Sequence, residues 1–316
     1  MPSDDQLALA LWRLPPRRGD RVQAPEPIFL LHGLGSNRFG FDCPGRSLAY
    51  WLSGAGYDVY LPELRGHGAS TPPTRGWNLD DYLRRDVPAL LSAATRRSGF
   101  EQVHWIGHSM GGLLWFLLAT HGDSSQVASA IALGSALDYR PGASGFRGLL
   151  GLRSLASRVS MLPYGQLMHC LAPTFGRRLS WLDAFNVWPS NIEPALNRRL
   201  HANAFESIPV SLLLQLASAF DDSGLTSADG SVQYLRAQHP LTTPTLLVSG
   251  SVDQQATRQA VMASAALLGP RAEQAEFGRG TGCRDDYGHW DLLLGRRAPR
   301  EIWPRLLSWL GRHPLA

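Results

Sequence analysis

Three residues far apart in the chain, Ser109, Asp253 and His289, are of the types that together make a nucleophile at neutral pH. A serine hydroxyl ionises too weakly to attack unaided and needs a base within hydrogen-bond reach. Histidine can take that proton and hand it to a leaving group, while a carboxylate fixes the imidazole tautomer and stabilises its cation. Ser109 stands in Gly107-His108-Ser109-Met110-Gly111, a G-x-S-x-G spacing. The residues before it, Val103 to Ile106, are apolar and partly β-branched, as a buried strand requires. From Gly112 onward an apolar run is long enough for a buried helix. A strand that becomes a helix within about two residues holds the residue at the bend in a strained conformation, its hydroxyl at the positive end of the helix dipole. Gly107 and Gly111 follow from that geometry, because a Cβ at either would meet neighbouring backbone. An attacked carbonyl would develop negative charge, and two backbone amides are placed to receive it. They are Met110, just after the serine, and Leu34, just after His32-Gly33.

Each of these residues ends or follows a segment that reads as a strand. Leu7 to Leu14 is an early strand, followed by a turn at Pro15 to Asp20. Pro27 to Leu31, Asp58 to Leu61, Ala130 to Leu133, Thr245 to Val248 and Glu273 to Phe277 continue the pattern. Between them lie helical spacings at Leu48 to Ala55, closed by Gly54 and Gly56, at Asn78 to Arg97 with Asn78 as N-cap and a kink at Pro88, at Gln254 to Leu268, and at Trp303 to Leu310. Strands alternating with helices over short connections predict a mostly parallel sheet covered by helices on both faces. From Asp138 to Pro240 the character changes. Leu149, Leu152, Leu155 and Val159 repeat every three or four residues, Ser207 to Phe220 is amphipathic, and no convincing strand interrupts them. The chain therefore divides into a first core part at 1–137, a helical cap at 138–240 lying over an apolar pocket, and a second core part at 241–316.

Composition narrows the functional classes. An apolar fraction of 44% over 316 residues sustains a packed core. All 30 basic residues are Arg, scattered without a long run or aromatic interleaving, so the net charge of +4 reflects a composition bias and not a nucleic-acid surface. Three distant cysteines, Cys43, Cys170 and Cys283, argue for a reducing compartment over a disulfide framework. The acidic Met1 to Asp5 start lacks a signal-peptide pattern, which predicts a cytoplasmic location. No apolar run approaches the roughly 18 residues of a membrane span, no metal-ligand spacing is present, and no cofactor is expected. Oligomeric state is not legible.

The turns His32-Gly33, Gly66-His67-Gly68, Gly107-His108-Ser109-Met110-Gly111, Gly250-Ser251-Val252-Asp253 and Gly288-His289 occur in the order that resembles the α/β-hydrolase superfamily. The likeness covers residues from about 28 to 137 and 241 to 311. Asp81-Tyr82 to Val87-Pro88, and Tyr287 to Leu294, are most similar to the lipase and polyester-synthase-like branches. Polyester synthases carry Cys where this chain has Ser109, and dehalogenases and epoxide hydrolases of the fold carry Asp. The resemblance thus implies a cofactor-free serine esterase or lipase acting on a small ester with an apolar group. Acyl transfer or thioester cleavage by the same triad is the alternative, and a silent binding protein on the same scaffold a third reading. Asp138 is the second candidate for the acid. Asp285 and Asp286 read as a solvated loop, Cys283 as a bystander, and His32, His67 and His108 as turn residues.

Overall fold

The computed structural model describes residues 3, 5–17, 25–154, 159–177 and 180–315. Seven strands form one sheet: β1 (Ala10–Leu14), β2 (Pro27–Leu31), β3 (Asp58–Glu63), β4 (Val103–His108), β5 (Val127–Leu133), β6 (Thr245–Gly250) and β7 (Ala272–Phe277). Their order across the sheet is β1-β3-β2-β4-β5-β6-β7. All neighbours are parallel except β1, which runs antiparallel to β3 at the edge. The five residues of β2 and the six of β4 are wholly buried, so the unbroken apolar run of β2 and the buried histidines of β4 reflect helices on both sides.

Alternation along the strands divides the interior into two cores. Phe29, Leu31 and Trp105 point to one face, where they meet the helices α2 (Val87–Ser98), α3 (Met110–His121) and α8 (Arg258–Leu268). Ile28, Leu30 and Ile106 point to the other, against α1 (Leu48–Ala55) and α9 (Trp303–Arg312). Helix α3 is buried on all sides from Met110 through Thr120, which explains why its sequence shows no polar stripe. Helix α1 ends where Gly56 turns left-handed at φ 101°. The predicted cap at Asn78 is a capping box with Asp81, and the helix widens to a π-turn over Tyr82–Asp86 before Pro88. Proline has no N–H to bond the carbonyl four residues back, so the widened turn accommodates the break.

Between β5 and β6 the chain leaves the sheet. It forms a 3₁₀ segment at Gly145–Ser154, then α4 (Tyr164–Leu171), α5 (Ser180–Asn186), α6 (Pro194–Asn203) and α7 (Val210–Ala217). One difference from expectation occurs here. Met161–Leu162 pairs with Ile208–Pro209 as a two-stranded antiparallel ribbon, too short to carry an alternating pattern. Leu149 and Leu152 fall in the 3₁₀ segment, while Leu155 lies outside the described residues. Elsewhere, α8 begins at Arg258 and not near Gln254, because Thr257 caps it by accepting from the Ala260 amide. Arg18 to Asp20 of the predicted first turn also lie outside the described residues. Among the described residues no helix is long and apolar enough to cross a membrane.

Candidate active site

Parallel strands bring their carboxyl ends to one edge, and every residue singled out for chemistry lies just beyond such an end. Ser109 follows β4 directly and has φ 56° and ψ −120°, a combination that L-residues avoid. The turn is held by its neighbours: a Cβ on Gly107 would lie 2.4 Å from the Gly111 backbone, and one on Gly111 would lie 2.1 Å from the Leu31 carbonyl oxygen. Only glycines let α3 press this closely against β2 and β4. Gly33 plays the matching part in the loop after β2, where a Cβ would come within 2.9 Å of the Ser109 Cβ.

Asp253 and His289 meet at the ends of β6 and of the loop after β7. His289 Nδ1 lies 2.8 Å from Asp253 Oδ2. The other carboxylate oxygen accepts the amides of Gln255 at 2.8 Å and Ala256 at 3.0 Å. With both oxygens engaged, the carboxylate has one orientation, and among the described residues Nε2 of His289 has no hydrogen-bond partner. Gly134, at the end of β5 with φ +56°, backs this pair: a Cβ there would lie 3.1 Å from His289 Nδ1 and 3.2 Å from Asp253 Oδ2. Ser109 and His289 line the same apolar cavity, roofed by residues of the segment between β5 and β6. Among the described residues, neither the Leu34 nor the Met110 amide donates a hydrogen bond to the backbone. Met110 is the first residue of α3, where an unsatisfied N–H is inherent to the helix start.

The histidines in the glycine turns hold loops together. His32 Nε2 accepts the Leu64 amide at 3.2 Å, so its Nδ1–H donates to the Gly33 carbonyl at 3.0 Å. His108 donates from Nε2 to the His289 carbonyl at 3.1 Å. His67 donates to the Arg65 carbonyl at 2.9 Å. Burial holds all three neutral: His32 is lowered to about 3 and His67 to about 4, and His108 lies well below the usual value. Asp138 is engaged elsewhere, its two oxygens each 2.8 Å from the Arg140 guanidinium, which lowers its pKa. Asp286 accepts from Ser251 and from the Arg279 amide, and Asp285 faces Arg279 and Arg297. Among the described residues no group of His, Cys, Asp and Glu could hold a metal ion.

Two residues that sequence reasoning passed over stand beside the pair. Gln255 donates through Nε2 to the Phe185 carbonyl and to Asn186 Oδ1, both at 3.0 Å. Asp291 is fully buried and accepts the amides of Gly288 at 2.7 Å and Trp188 at 2.5 Å. Burial pushes its carboxyl up to about 7. Both tie the loops of Asp253 and His289 to residues 185–188 of the roof. Asp291 sits in the Tyr287 to Leu294 stretch already noted for its likeness to lipases, and that likeness was the signal that could have found it.

A profile of the family described as alpha/beta hydrolase fold matches residues 26–295. Lipase member K of Homo sapiens is 31% identical over 126 residues, which cover 36% of this chain and 32% of that lipase. Gastric triacylglycerol lipase of Bos taurus is 27% identical over 177 residues, 51% of this chain and 42% of the lipase. The chain thus spans about a third to two fifths of the length of these relatives. An esterase structure from Thermogutta terrifontis superposes with a TM-score of 0.64 at 18% identity, covering 98% of this chain and 96% of that one. A monoacylglycerol lipase from Paleococcus ferrophilus does so with a TM-score of 0.61 at 19% identity, over 97% and 100%.

Proposed function

Since the chain belongs to the alpha/beta hydrolase fold family, we propose that it is a cofactor-free serine hydrolase that cleaves carboxylic esters. Ser109 is the nucleophile, His289 the general base and then acid, and Asp253 the residue that orients the imidazole. The amides of Leu34 and Met110 stabilise the oxyanion. The observation that carries this reading is Ser109, strained at φ 56°, in a cavity shared with His289 whose Nδ1 is already bonded to Asp253.

The reaction follows from these positions. Ser109 Oγ attacks the ester carbonyl carbon as its proton passes to Nε2 of His289, and the carbonyl π electrons move to the oxygen held by the two amides. Collapse breaks the bond to the alcohol oxygen, which leaves with the proton from His289. Water, deprotonated by the same imidazole, attacks the acyl-serine and releases the acid. Each oxyanion donor contributes about 3 kcal/mol to such a step. The 138–240 segment is the cap that covers the acyl and alcohol groups and excludes bulk water from them.

Turnover of an aryl ester such as 4-nitrophenyl butyrate tests the reading. Ser109→Ala lowers the rate by at least about a thousandfold while the circular-dichroism melt stays cooperative. Turnover retained in that variant overturns Ser109 as the nucleophile.

A further inference from the structure

The cavity at Ser109 has two lobes that meet at Leu34, Ser109 and Phe146. One lobe continues past Met110 to Leu113, Leu216, Ala219 and Phe220. The other continues past His289 to Leu162, Tyr164, Phe205 and Gln255. Each is bordered by one part of the catalytic apparatus and not by the other: Met110 lines only the first, His289 only the second. The two also differ in chemistry. Apart from Ser109 and the Tyr139 hydroxyl, the first lobe is lined by apolar side chains. The second carries amide groups, and the Gln255 side chain is oriented by its partners. Both of its N–H groups point at acceptors, the Phe185 carbonyl and Asn186 Oδ1. Among the described residues its Oε1 accepts no hydrogen bond, which leaves one acceptor on the wall of the lobe that His289 borders.

We propose that the Met110 lobe receives the acyl chain, that the His289 lobe receives the alcohol, and that Gln255 Oε1 accepts a hydrogen bond from a second hydroxyl of that alcohol. The proposal rests on the ester-hydrolase reading above. Its first part follows from the proton inventory: the leaving oxygen must lie beside the imidazole that protonates it, so the alcohol occupies the side that His289 lines. The acyl chain, on the opposite side of the tetrahedral carbon, extends under Met110 into the apolar lobe. The second part follows from polar satisfaction, because an acceptor on a largely apolar wall discriminates for a ligand with a matching donor. The substrate class is an ester of an acid bearing an apolar chain with a polyhydroxylated alcohol.

Three variants and two ratios of kcat/KM test this. The acyl ratio compares 4-nitrophenyl hexanoate with the acetate; the alcohol ratio compares glyceryl monobutyrate with propyl butyrate. Ala219→Trp, which fills the first lobe, lowers the acyl ratio at least tenfold and leaves the alcohol ratio within twofold. Leu162→Trp, at the second lobe, does the reverse. Gln255→Met keeps the side-chain volume but removes the acceptor, and lowers the alcohol ratio about fivefold, as expected for one neutral hydrogen bond. If Gln255 served only to tie the roof down, its loss would slow both butyrates equally, and that result overturns the hydroxyl contact. Ala219→Trp acting on the alcohol ratio overturns the lobe assignment. Ester turnover that depends on Ser109 but shows no split between the ratios sinks this inference alone. Absence of any Ser109-dependent turnover sinks the underlying reading with it.

Discussion

At Ser109 the backbone stores strain in order to project a hydroxyl from the bend. A non-glycine residue at φ 56° and ψ −120° costs about 1–2 kcal/mol. Ser109→Ala keeps that cost, whereas Ser109→Gly removes it, partly offset by glycine's greater freedom in the unfolded chain. The glycine variant is therefore expected to be about 1 kcal/mol more stable than the alanine variant in urea melts, with both inactive; equal stability would mean the bend is not strained. In the proposed reaction Asp253 acts through orientation. Asp253→Asn can bond the imidazole in the wrong tautomer, so kcat for the aryl ester falls about 10⁴-fold with KM little changed. A fall confined to KM would remove Asp253 from its assigned role. Ser109 and its glycines were legible in the sequence because the sterics of a strand-to-helix bend are local. Gln255 was not, because its partners Phe185 and Asn186 lie about 70 positions away and no local pattern records the meeting, and the Trp188 partner of Asp291 lies about 100 positions away.

Among the elements, a central strand such as β2 was legible because both sheet faces are buried there, which makes it an unbroken apolar run, whereas the edge strands β1 and β7 are partly exposed and carry charged residues. The leucine spacing at Gly145–Ser154 marked a helical segment without fixing its type, because a three- to four-residue repeat fits a 3₁₀ helix as well as an α-helix. Two glycines show how far context decides a substitution. Gly111 lies against the Leu31 carbonyl, and Gly111→Ala drives a Cβ to 2.1 Å from it, so the β2–α3 contact must open. That variant is expected to lose more than about 3 kcal/mol of stability, or fail to fold. Gly54 is in α1 with nothing within 4 Å of a Cβ, and Gly54→Ala is expected to gain about 0.5–1 kcal/mol by helix propensity alone. Chemical denaturation of the pair checks both; a tolerated Gly111→Ala would contradict the described approach of helix to strand.

For the whole molecule, four buried histidines set the response to acid. His32, His67, His108 and His201 are each lowered by burial, the first to about 3 and His67 and His201 to about 4. Unfolded, they take up protons near pH 6.5, so their contribution is lost progressively as pH falls from about 6.5 toward 4. Asp291 acts in the opposite sense. Its folded value of about 7 lies above that of an unfolded carboxyl, so its contribution is full below about pH 4 and is lost as pH rises through 7. Urea melts at pH 5, 6.5 and 8 should therefore find the protein least stable at pH 5. Asp291→Asn should steepen the rise toward pH 8, because the opposing group is gone; parallel curves for the two proteins would contradict the burial of that carboxyl.

The central claim is that His289 activates Ser109, and fluorophosphonate labelling followed by peptide mass spectrometry measures it most directly. One adduct per chain is expected, on Ser109, formed at least about a thousandfold more slowly in His289→Ala. An adduct on another residue, or a Ser109 adduct whose rate ignores the loss of His289, would contradict it.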